Sequence, residues 1–135
     1  MIGLDTNVLV RYLAQDDAKQ AALATRLIEK ELSAAAPGFI SVVVLAELCW
    51  VLKRLYSAST DELIATVEDL LSTPQFHLDR RDAVVATVRT LKAGKGAKAG
   101  FVDALIAQLA AAEGCSRTVS FDKAAVRSTG MVLLK

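Results

Sequence analysis

Four carboxylates lie in or against apolar runs of this chain: Asp5 closes the opening run Met1–Leu4, Glu47 sits inside Val43–Leu52, Asp103 inside Phe101–Ala112, and Asp122 directly follows Arg117–Phe121. Brought together they would form a negatively charged pocket that repels itself unless a cation occupies it. Oxygen donors alone select hard ions such as Mg²⁺ or Mn²⁺, and the absence of a Cys/His cluster argues against zinc or a softer metal. The chemistry open to such a centre is metal-assisted hydrolysis, in which the ion acidifies a bound water and offsets negative charge developing on oxygen.

Each acid has a plainer reading. Asp5 and Asp122 follow short apolar segments and precede helical ones, and Asp is among the preferred helix N-caps. Glu47 shares a helix face with Trp50 and Arg54 at about 100° per residue, which would suit a solvated position, although a helix this apolar is normally buried nearly all round. Asp103 resists such a reading most. The only polar side chains in Phe101–Ala112 are Asp103 and Gln108, and a buried ionised carboxylate costs several kcal/mol or so unless it is paired or bound to a cation. Hydrolysis without a metal would need a general base and acid, most often histidines, and His77 is the one histidine. It sits in Phe76-His-Leu78, where a packing role is expected. Asp5 as a phosphoryl-accepting nucleophile is a further alternative, but Asn7 stands where such sites usually carry a second Asp.

The elements that must position these acids alternate along the chain. A strand at Met1–Leu4 leads into a helix from Asn7 to about Ala14; a second helix runs from Asp17 to about Ala35, capped by Asp16 or Asp17 and stopped by Pro37-Gly38. Gly38–Ser41 reads as a strand, Val43–Tyr56 and Thr60–Leu71 as helices, the latter capped by Thr60. Gln75–Asp79 is a strand, Arg81–Lys92 and Phe101–Glu113 are helices, and Arg117–Phe121, Asp122–Ser128 and Met131–Leu134 follow as strand, short helix and strand. Short apolar strands without period-two polarity predict a parallel sheet covered by helices, and in such folds ligands collect outside the strand carboxyl ends.

The chain has 135 residues, 53% of them hydrophobic and 23% charged, which suits one domain, residues 1–135, with its own core. Sixteen basic and fifteen acidic residues leave a net charge of +1, excluding nucleic-acid binding through bulk charge, so any RNA contact must be local. Lys95 and Lys98, in the Gly- and Ala-rich segment before Asp103, and Arg11 of the first helix are the candidates. Cys49 and Cys115 lie among apolar neighbours without C-x-x-C spacing and are expected to pack as small hydrophobes. With no apolar stretch of ~18 residues, no membrane association and a reducing, cytoplasmic location are expected.

Ile2-Gly-Leu-Asp5-Thr-Asn-Val-Leu-Val-Arg-Tyr-Leu13 resembles the opening of PIN-domain proteins, particularly VapC-type toxins of toxin–antitoxin pairs. Ile40–Leu52 around Glu47, Phe101–Ala107 around Asp103, and Ser120-Phe-Asp122-Lys123 resemble the second, third and fourth motifs, in order and across essentially the whole chain. The resemblance implies a three-layer α/β/α sandwich with a five-stranded parallel sheet and a Mg²⁺- or Mn²⁺-dependent endoribonuclease leaving a 5′-phosphate and a 3′-hydroxyl. It gives metal and catalytic roles to Asp5, Glu47, Asp103 and Asp122, with Thr6, Asn7 and Ser120 as polar support. It also implies a cognate antitoxin, which could place an Arg among the carboxylates. Trp50, Leu52, Leu55, Tyr56 and Leu63 offer a face for that partner or a homodimer. The fourth motif departs in having Ser120 where Thr is common and Ala124-Ala125 where some members carry another acid, which bears on a second metal. A catalytically silent PIN-like binding module is the alternative from a different class.

Overall fold

The computed structural model describes residues 1–94 and 100–135, so the expected RNA contacts Lys95 and Lys98 lie outside the described residues. The strands are β1 (Ile2–Gly3), β2 (Gly38–Ile40), β3 (Phe76–Leu78), β4 (Val119–Ser120) and β5 (Val132–Leu133); the helices are α1 (Thr6–Ala14), α2 (Ala18–Arg26), α3 (Val42–Tyr56), α4 (Thr60–Ser72), α5 (Arg81–Ala93), α6 (Phe101–Ala112) and α7 (Lys123–Thr129). Local chemistry explains most boundaries. Ser41 caps α3 through Oγ, which accepts the Val44 N–H at 3.1 Å. Asp17 rather than Asp16 caps α2, accepting the Gln20 N–H at 2.9 Å. The cap of α4 is Ser59, not Thr60, in a reciprocal pair: the Glu62 N–H donates to Ser59 Oγ at 3.1 Å and the Ser59 N–H to Glu62 Oε1 at 3.0 Å.

The second helix stops before the expected Ala35. Its last turn, Leu27–Glu31, widens to the π form, and Leu32 leaves it in an extended conformation. The reason lies in packing: Leu32 is buried and lies beside Gly38, where an added Cβ would meet Leu4 Cδ1 at 2.6 Å and Leu32 Cδ1 at 2.9 Å. Glycine lets the two leucines close over the strand.

All strand pairs are parallel, as the apolar, non-alternating runs predict. They form a sheet of order β1-β2-β3 and a second of β4 and β5, where one five-stranded sheet was expected. Each ladder spans only two or three residue pairs, so strand pairing contributes little and helix packing decides placement. α1 packs on α2 and α3, α3 on α6, and α5 along α6, while α6 carries α7 and with it the second sheet. The core contains Leu9, Ile28, Ile40, Leu45, Leu48, Val67, Val84 and Phe101, all with essentially no exposure.

Two helices are wetter than their composition implies. On α3 Val43, Trp50 and Leu55 are exposed, with the Arg54 guanidinium 5.6 Å from the Trp50 ring centre; on α6 only Phe101, Ala104 and Leu105 are fully buried. The cysteines divide likewise: Cys49 is buried, whereas Cys115, expected to pack, is exposed, because it follows the left-handed turn at Gly114 (φ 91°) that ends α6.

Burial pushes the Cys49 thiol up to about 12. Between an unfolded-state value of ~8.5 and that value, the unfolded chain loses a proton that the native chain keeps, so stability falls as pH rises. Urea titrations should show a decline of up to about 1.4 kcal/mol per pH unit from this group, lessened in Cys49→Ala and retained in Cys115→Ser. A thiol reagent should modify Cys115 at once and Cys49 only on unfolding; equal rates would contradict the burial.

Candidate active site

Asp5 follows the buried Leu4 and caps α1. Its Oδ1 accepts the Thr6 N–H at 2.8 Å. The carboxylate is thereby oriented while the residue stays exposed. Because α1 packs on α3, Glu47 comes to the same place: Asp5 and Glu47 line one cavity of about 440 Å³ with Thr6, Asn7, Arg11, Asp16 and Tyr56.

Thr6 contributes an anomaly. It is buried, and its Oγ1 has no hydrogen-bond partner among the described residues. A buried hydroxyl left unpaired costs about 1–3 kcal/mol, so it stands as an unused donor and acceptor next to Asp5.

The other two acids do not line that cavity. Asp103 is half-buried in the first turn of α6, whose packing against α3 sets it on an element adjoining Glu47, but it does not line the Asp5 and Glu47 cavity. No side-chain hydrogen bond or ion pair engages it among the described residues, and its partial exposure supplies the solvation that a fully buried charge would lack. Asp122 caps α7, Oδ1 accepting the Ala124 N–H at 2.9 Å and the Ala125 N–H at 3.2 Å. Ser120 Oγ accepts the Asp122 N–H at 3.0 Å and shapes that turn. Asp122 thus follows β4 of the second sheet and is not among the residues lining the Asp5 and Glu47 cavity. Among the described residues no three acidic, His or Cys side chains gather closely enough to hold a metal ion.

The residues present nonetheless fit a hard cation of modest demands. Mg²⁺ is commonly held by one or two carboxylates, with water and substrate phosphate completing its octahedron. Glu47 and the oxygen of Asp5 not used in capping could supply that pair, and the unpaired Thr6 hydroxyl adds a polar neighbour. His77 has no such place: it is exposed on β3 and stacked on Phe39 at 5.9 Å. Nor does size mark the site, since a cavity of about 600 Å³ between α4 and α5 is bordered by the closed Lys92–Glu68 ion pair at 3.0 Å and contains none of the candidate acids.

Asp16, Gln20 and Tyr56 were not singled out by their sequence positions as site residues. Asp17 takes the cap, and Asp16 instead accepts Arg11 Nη1 at 3.1 Å and the Tyr56 hydroxyl; Gln20 Oε1 accepts Arg11 Nε at 2.8 Å. The hydrogen bond from Tyr56 holds the Asp16 carboxyl below the usual carboxylate range, and the same bond raises the tyrosine. The available signal was the Asp16-Asp17 pair, of which one member must do something other than cap.

A family profile described as the PIN domain matches residues 2–129, a span that contains all four acids. No curated protein sequence matches the chain significantly. With nearly its whole length matched, the chain belongs to the PIN domain family.

Proposed function

We propose that this chain is a Mg²⁺- or Mn²⁺-dependent endoribonuclease, one nuclease domain over residues 1–135, acting as the toxin of a toxin–antitoxin pair. PIN domains are generally nucleases and often toxins, and the observation that carries the reading here is the joining of Asp5 and Glu47 in one cavity beside an unpaired, buried Thr6 hydroxyl. Asp5, Glu47 and Asp103 would hold the cation, with Asp122 as a further ligand. When bound, the cation supplies acidified water and positive charge at the phosphate. The chain's own residues do the positioning. Asp5 is kept in one rotamer by its bond to the Thr6 N–H, Glu47 approaches from the facing helix, and Asn7 offers an amide at the cavity wall.

The reading includes closure of both sheets into one five-stranded layer through β1 and β4, which would carry Asp122 toward Asp5. Its support is that β1 leaves one edge unpaired, as do β4 and β5, and that Ile2 and Val119 remain exposed. The exposed Val43, Trp50 and Leu55 on α3 support a protein partner, a cognate antitoxin or a second copy in a homodimer. No helix is long and apolar enough among the described residues to cross a membrane, and the reading places the enzyme in the cytoplasm with its RNA.

Cleavage of a labelled RNA should require Mg²⁺ or Mn²⁺ and stop with EDTA. Asp5→Asn and Asp103→Asn should each lower kcat strongly by removing a carboxylate that would hold the cation; full activity in Asp103→Asn would refute the four-acid assignment. A binding module without catalytic activity would leave RNA intact under all conditions.

Two substitutions separate structural from chemical roles. Asp122→Ala should lower stability by about 0.5–2 kcal/mol through loss of the cap, whereas Asp122→Asn keeps the cap and should lose activity alone. Thr6→Val replaces an unpaired buried hydroxyl by an isosteric methyl. Its melting temperature should stay level or rise while cleavage slows by about tenfold; a large loss of stability would show that the hydroxyl is paired after all.

A further inference from the structure

We infer that Arg11 is a clamp for an RNA phosphate next to the cleaved one, and that Tyr56, acting through Asp16, is the positioning residue that aims it. The inference rests on the proposed nuclease reading of the Asp5 and Glu47 cavity. Arg11 is on the wall between two recesses, the acid-lined one of about 440 Å³ and a second of about 260 Å³ that it shares with Asn7 and Gln20. A strand entering one recess from the other passes this guanidinium.

The geometry of the side chain argues for a held, only partly occupied group. Gln20 accepts from Nε at 2.8 Å and Asp16 from Nη1 at 3.1 Å. The Tyr56 hydroxyl also lies within reach of the guanidinium, so of its five N–H donors at least two remain without an acceptor among the described residues, and spare donors of this kind suit a phosphate. Its side chain is 33% exposed, open enough for a ligand to reach.

The anchor is built from three elements. Arg11 is on α1, Gln20 on α2, and Tyr56 at the last position of α3, donating its hydroxyl to Asp16 across 40 residues of sequence. Asp16 is thus bound on both oxygens, one by Arg11 and the other by Tyr56. An isolated surface ion pair between Arg11 and Asp16 would gain little and wander; the tyrosine removes one freedom of the carboxylate, and Gln20 fixes the other edge of the guanidinium. Among the described residues that line the Asp5 and Glu47 cavity Arg11 is the one basic side chain, set against the carboxylates of Asp5, Asp16 and Glu47, which would otherwise repel an approaching polyanion.

The test measures binding and cleavage separately. Fluorescence anisotropy of a single-stranded RNA oligonucleotide in EDTA, over a range of salt, should show Arg11→Ala binding about tenfold more weakly, with the slope of log K against log salt reduced by about 0.7, one phosphate contact. Arg11→Lys keeps the charge and should retain the slope while losing affinity, which keeps the test decisive if the alanine variant folds poorly. Tyr56→Phe should weaken binding about threefold at unchanged slope and, in cleavage assays with Mg²⁺, raise KM more than it lowers kcat. Wild-type affinity and slope in Arg11→Ala overturn the clamp even if RNA is cut, and a Tyr56→Phe effect confined to melting temperature overturns its positioning role. Arg11-dependent, salt-sensitive binding of RNA that is never cut supports the clamp and overturns the nuclease reading alone.

Discussion

The buried contact of α1 with α3 is the constraint on which the site depends. Leu9 on one helix and Leu45 and Leu48 on the other are among the least exposed side chains of the molecule, and each contributes about 1.5–3 kcal/mol by leaving water. Asp5 is set at the start of α1, one residue before its first helical position, and Glu47 stands next to Leu48 on α3. Once the leucines are buried, the two carboxylates can only meet at the edge of that contact. They stay exposed, so their repulsion is softened by solvent while the apolar seam below holds them in place.

The acids also show how one side chain can serve stability and chemistry together. A carboxylate that caps a helix uses one oxygen on backbone N–H groups and leaves the other directed outward, already held in one rotamer. Asp5 and Asp122 are both of this kind. Capping is therefore no argument against a ligand role, and presence at a strand end is none for it. What differs is the neighbourhood: Asp5 has Glu47 and an unpaired threonine hydroxyl beside it, whereas Asp122 is on a helix and sheet attached through α6.

Helix positions were largely legible because they rest on nearest-neighbour chemistry. Apolar spacing and residues that favour caps and turns place α1, α3, α4, α5, α6 and α7 within a residue or two. The departures depend on packing and on the turns past helix ends. Leu32 leaves its helix and packs beside Gly38, which gives it space against Leu4; Cys115 is exposed because the Gly114 turn carries it off the end of α6; Trp50 faces outward although its helix is apolar on most sides. The burial argument for Asp103 weakened for the same reason, since composition reports how apolar a helix is and not how many neighbours cover it.

By itself the sequence determined the α/β class, the parallel character of the strands, the four acidic motifs and their order, since these follow from local periodicity, capping and residue type. Tertiary structure alone decided which acids share a cavity, that the five short strands pair as three and two, and that Asp16, Gln20 and Tyr56 hold Arg11 at its rim. Those outcomes depend on which helix faces are buried against each other. Relations between residues 40 or more positions apart, such as the Tyr56–Asp16 hydrogen bond and the cavity shared by Asp5 and Glu47, are set by that packing and leave no periodic trace in the chain.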